Sequence, residues 1–171
     1  MKNAFLAALV IVLASGLIFS GCYREASTPA PEVPSIEKLT ISNIVFCPIK
    51  PEGYMGYIEQ PDAIYEPGDV VWIYLNVPGA KYNPHHDGTN EIWYNVHLTL
   101  KASNGDILLD EEVVSNHHNI EEELDPDKLF FSLYINTTPQ FAEDKYAVEI
   151  VVTDKIGNQT ATASIGFTLS R

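Results

Sequence analysis

Two histidine pairs are the residues in this chain best suited to chemistry. His85 and His86 stand in the polar stretch KYNPHHDGTN, and His117 and His118 in SNHHNIEEE. Imidazole nitrogens bind transition metals, and carboxylates commonly complete such sites. If the two stretches meet in space, His85, His86, His117 and His118, with Asp87, Glu121, Glu122 or Glu123, form a candidate loop-bound transition-metal site. Spacing along the chain does not require that meeting, and solvated histidines in polar turns are the plainer reading. His97 falls on the polar side of its strand and reads as a surface or sheet-packing residue.

Carboxylates are the second source of ligands. Asp110-Glu111-Glu112, Glu121-Glu122-Glu123, Asp125-Pro126-Asp127 and the oxygen donors of Asp87-Gly88-Thr89-Asn90-Glu91 could serve a structural calcium ion. None has the ligand spacing of an EF-hand loop. Solvated charge and protection of strand edges account for the same residues. There is no G-x-S-x-G elbow, phosphate-cradling glycine loop or H-E-x-x-H helix. Cys47 precedes every histidine, the reverse of the late ligand cluster of a cupredoxin, and no C-x-x-C pair supports redox exchange. Cys47 reads as a small buried residue. The expectation is a domain that is not an enzyme and has no cofactor beyond a calcium or loop-bound metal ion.

The elements that would position these residues are strands. Apolar residues alternate with polar ones in short runs near 39–47, 54–59, 69–77, 91–101, 106–115, 128–135, 144–154 and 159–169. In EIWYNVHLTL, Ile92, Tyr94, Val96, Leu98 and Leu100 share one face, and Trp93, Asn95, His97 and Thr99 the other. In VVWIYLNV both faces are apolar, so periodicity does not say whether Trp72 and Tyr74 or Val71, Ile73 and Leu75 point inward. Asn104-Gly105 and Lys155-Ile156-Gly157-Asn158 read as hairpin turns. No helical period persists, and an all-β sandwich of about seven or eight antiparallel strands is expected. The boundaries place a leader at 1–21, a tether at 22–38 and one folded domain at 39–171.

Charge narrows the partners. The chain carries 10 basic and 23 acidic residues, a formal net charge of −13. That balance repels nucleic acid, so no nucleic-acid role is expected. Before it stands Lys2 and an apolar run from Ala4 to Phe19, closed by Ser20-Gly21-Cys22. Phe19-Ser20-Gly21-Cys22 resembles the lipobox of prokaryotic lipoproteins. The resemblance implies cleavage before Cys22, lipidation of its thiol, attachment to a cell membrane or outer membrane, and an extracytoplasmic domain. An uncleaved anchor and an ordinary secretion signal are the alternatives. Residues 23–38 contain Pro29, Pro31 and Pro34 and few large apolar side chains, the composition of a semi-extended spacer. With Cys22 lipidated, Cys47 has no partner for a disulfide.

The stretch AEDKYAVEIVVTDKIGN, residues 142–158, resembles the closing hairpin of bacterial and archaeal immunoglobulin-like or fibronectin-like modules, and YEPGDVVWIYL, residues 65–75, resembles one of their core strands. This likeness implies an immunoglobulin-like sandwich and places Tyr146 at a tyrosine corner, its hydroxyl bonded to nearby backbone. Such modules dock partners. Trp93, facing away from Ile92, Tyr94 and Val96, is a candidate contact for an envelope protein or polysaccharide unless segment 54–59 covers it, and Tyr82 is a second. Asn136-Thr137-Thr138 and Asn158-Gln159-Thr160 fit the glycosylation triplet, although Asn158 has a sufficient role in its turn.

Overall fold

Alternating strands hide one face each, and two sheets packed face to face satisfy all of them at once. The computed structural model describes residues 38–121, 125 and 127–171. Cys22, the leader and nearly all of the tether therefore lie outside the described residues, as do Glu122, Glu123 and Pro126. The strands run β1 (Ser42–Cys47), β2 (Ile64–Tyr65), β3 (Val70–Asn76), β4 (Asn83–Pro84), β5 (Asn90–Lys101), β6 (Ile107–Ile120), β7 (Phe130–Asn136), β8 (Asp144–Asp154) and β9 (Gln159–Leu169). One sheet has the order β1-β3-β7. The other runs β2-β9-β8-β5, with β4 and β6 both pairing with β5. Every pairing is antiparallel except the two-residue contact of β2 with β9.

The all-β sandwich expected from periodicity is the observed architecture. β4 and β2 add two short pairings to the longer strands, and the face of β5 that carries Ile92, Tyr94, Val96, Leu98 and Leu100 is the buried one. Val96, Leu98 and Leu100 of β5 face the same interior as Val148, Ile150 and Val152 of β8, all at 0–1% exposure. From the opposite sheet come Val71, Ile73 and Leu75. Phe167 of β9 closes one end of the core. Its ring stacks on Tyr146 at 5.3 Å and meets Phe46 of the other sheet edge-on at 5.6 Å. The Tyr146 hydroxyl donates to the carbonyl of Ala142 at 2.8 Å, the bond expected of a corner tyrosine. Cys47 is buried, and desolvation pushes its thiol pKa up, the environment of an inert thiol.

Segment 54–59 is not a strand. Met55 is left-handed at φ 57°, the Glu52 N–H donates to the Gly56 carbonyl at 2.8 Å, and the Gly56 N–H donates back to Gly53. Two glycines within four residues favour this folded turn over pairing. The turn lies on the outer side of β3. There the Met55 N–H donates to the Tyr74 hydroxyl at 2.8 Å, and the Tyr57 ring lies 4.4 Å from that of Tyr74. This resolves the two apolar faces of VVWIYLNV. Val71, Ile73 and Leu75 enter the core, while Tyr74 is buried beneath a folded loop.

Both expected hairpins form. Gly105 takes φ 89° between β5 and β6, where the Ala102 N–H donates to the Asp106 carbonyl. The β8–β9 turn is organised by Asp154, which is completely buried. Its Oδ1 accepts from the N–H groups of Ile156 and Gly157, both at 2.9 Å, and its Oδ2 accepts from the Lys81 N–H at 2.8 Å. Tyr94, directly opposite Asp154 across the β5–β8 ladder, donates its hydroxyl to the Lys81 carbonyl at 2.8 Å. Lys81, in the connection between β3 and β4, is thus held through both its N–H and its C=O.

Candidate binding face

The clamp on Lys81 sets the start of β4, and β4 sets the turn that carries His85. In that turn the His85 N–H donates to the Thr89 carbonyl, Gly88 takes φ 89°, and the Asp87 carboxylate accepts from both the N–H and the hydroxyl of Thr89. These bonds hold the Asp87 carboxyl below its usual range. Asp87 is therefore occupied in shaping its own turn.

His117 and His118 do not lie in a loop. β6 continues to Ile120, with His117 opposite Trp93 and His118 opposite Ile92. The run SNHHN has the composition of a turn, but the long β5 templates pairing along its whole length. The two histidines consequently point to opposite faces.

One histidine from each pair does converge with the other, on Glu91, a carboxylate weighed for calcium and not for the histidine site. His117 Nε2 lies 2.9 Å from Glu91 Oε1, and His85 Nε2 lies 3.8 Å from Glu91 Oε2. Asn83 donates to the same Oε2 at 3.2 Å. The His117 ring also stacks on Trp93, with centroids 4.4 Å apart and planes 16° from parallel. The carboxylate is thus flanked from its two oxygens rather than sharing one centre with the imidazoles. Among the described residues, no group of three His, Cys, Asp or Glu side chains is placed to hold a metal ion. His86 and His118 are exposed and take no part in the cluster. Asp125, one of the acidic residues weighed for calcium, pairs instead with Lys128 at 2.7 Å.

Glu91 is legible in hindsight. It stands two residues before Trp93 and so shares the outer face of β5 with it. What sequence lacked was the strand register that brings His117 alongside. Hydrogen bonds from His117 and Asn83 are the leading causes that hold the Glu91 carboxyl below its usual pKa, with the nearby imidazoles adding charge. Replacing His117 with alanine removes the largest of these and should raise the Glu91 pKa towards its ordinary value. His85→Ala should raise it less. Side-chain carboxyl titration by NMR checks this, and an unchanged Glu91 in His117→Ala would refute the assignment.

Trp93 is 39% exposed, and its cover comes from His117 rather than from segment 54–59. Tyr82 is half-buried and packs on the core. Further along the same face, His97 bonds Asp110 at 2.7 Å and Asn95 bonds Glu112. This outer face therefore presents a tryptophan among paired imidazoles, amides and carboxylates. At the glycosylation triplets, Asn136 is exposed and Asn158 sits at φ 48° in the β8–β9 turn. Among the described residues, no helix is long and apolar enough to cross a membrane. No protein-family model matches the chain, and no curated protein matches its sequence significantly.

Proposed function

We propose that this protein is a non-enzymatic, lipid-anchored module of the cell envelope, an immunoglobulin-like sandwich held outside the cytoplasm on a proline-containing spacer. The observation that carries the reading is the apolar run ending in Phe19-Ser20-Gly21-Cys22. Two features of the domain support it. A core of buried apolar side chains needs no disulfide, as expected if the one other cysteine is lipidated, and the Tyr146–Ala142 bond has the form of a tyrosine corner. Acyl chains on Cys22 would anchor the protein at about 0.8 kcal/mol per buried CH₂, and more than one chain makes the attachment stable.

Cys22→Ser tests the anchor. The wild-type protein, expressed with its leader, should incorporate labelled fatty acid and enter the detergent phase on phase separation. Cys22→Ser should incorporate none and stay in the aqueous phase. Equal fatty-acid incorporation by the two would remove the lipoprotein reading.

A further inference from the structure

The sandwich is open along one flank. β7 is the last strand of the three-stranded sheet, and β6 the last of the larger one. Among the described residues, neither pairs with another strand on its outer side. Between them lies a cleft of about 530 Å³. Leu100, Leu109, Val114, Leu133, Ile135 and Phe141 contribute to its lining. At its rim, Leu108, Val113 and Tyr134 are 48%, 39% and 54% exposed, an unusual concentration of large apolar side chains beside two unpaired edges.

The direction of the β6 backbone follows from its neighbours. The Lys155 N–H donates to the Trp93 carbonyl, so Trp93 turns its peptide groups towards β8. Alternation in the regular β5–β8 ladder makes Asn95, His97 and Thr99 do the same. Their partners on β6, among them Glu112 opposite His97 and Asp110 opposite Thr99, then direct their N–H and C=O groups outward. The side chains of Leu109 and Glu111 lie on the cleft side, opposite the core residues Leu100 and Leu98. A strand added at Asp110 and Glu112 would therefore complete a ladder while placing alternate side chains into the cleft. This is recognition by β-augmentation, in which main-chain bonds supply affinity and alternate side chains supply specificity.

Charge decides the occupant. Among the described residues, Glu111 and Glu112 line the cleft, and no Lys or Arg does. A second copy pairing through its own β6 would bring two Asp110-Glu111-Glu112 runs together, which like-charge repulsion opposes. The chain's own spacer carries Pro29, Pro31 and Pro34, which have no N–H to donate. We propose that the β6–β7 flank captures an extended segment of another protein whose inward side chains read apolar–basic–apolar, with the basic residue against Glu111. This goes beyond the envelope-module reading and does not depend on the lipid anchor.

The test uses the full-length protein in detergent and the fluorescent peptide Lys-Val-Thr-Lys-Thr-Val-Lys. Its two valines and central lysine share one face. Saturable binding is expected, lost when either valine-flanking threonine is changed to proline, because that change interrupts the ladder. Glu111→Lys, an exposed position, should weaken binding roughly tenfold and favour the analogue with glutamate in place of every lysine. Binding that ignores both the proline and Glu111→Lys, or no saturable binding at millimolar peptide, would overturn the proposal. So would a β6-mediated dimer that excludes the peptide. Cys22→Ser should bind like wild type, so failure of the anchor and failure of the flank are told apart.

Discussion

Asp154→Ala should cost roughly 3–5 kcal/mol of folding stability, a large share of what a domain of this size possesses. The carboxylate has no exposed surface and accepts three backbone N–H bonds, from Lys81, Ile156 and Gly157. Alanine would leave those part-buried donors without their acceptor, and orphaned donors shielded from water are expensive. Asp154→Asn provides the control. Its oxygen can keep the two bonds to Ile156 and Gly157, but its amide must face the Lys81 N–H, donor to donor, so an intermediate loss is expected. Urea unfolding of the three proteins measures the series. A loss below about 1 kcal/mol for alanine would show that the turn finds other acceptors. The substitution should also loosen His85, because Asp154 holds the N–H of Lys81, two residues before β4. The contact of His117 with Glu91 should survive, since β5 and β6 hold it independently.

Phe167→Ala is expected to cost about 4 kcal/mol by a different route. The ring is 3% exposed and touches aromatic neighbours from three directions: Tyr146 stacked at 5.3 Å, Phe46 at 5.6 Å and Tyr65 at 6.2 Å, both edge-on. Phe46 belongs to the smaller sheet and Phe167 to the larger, so the cluster ties the two layers together. Alanine leaves a cavity that β-strands on both sides are poorly able to close, whereas Phe167→Leu fills most of it and should lose about half as much. Thermal and urea unfolding separate the two variants. Equal losses from leucine and alanine would mean that ring geometry, rather than volume, is what matters.

How far the sequence reached depends on how local each cause is. The shared face of Ile92, Tyr94, Val96, Leu98 and Leu100 on β5 is legible because side-chain alternation is a property of each strand alone. The hairpin at Asn104-Gly105 and the turn at Gly157-Asn158 are read for the same reason, since a backbone with positive φ selects its residues locally. Segment 54–59 misleads because its tyrosines look like strand residues while serving as a cover for Tyr74, a role visible only once Tyr74 is in place.

The histidines mark the boundary most clearly. Composition distinguishes His85, His86, His117 and His118 as the groups able to do chemistry, and the apolar leader ending at Cys22 carries the expected location, both without reference to a fold. Which histidines meet is a matter of register between strands distant in sequence. Pairing His117 with Trp93, and anchoring Lys81 through Asp154 and Tyr94, brings one imidazole from each pair to Glu91 and leaves His86 and His118 outside. The open flank between β6 and β7 has the same origin. A strand's alternation shows which side chains it buries, but whether its edge is paired depends on the number and order of its neighbours, and those are settled only when the whole sandwich is assembled.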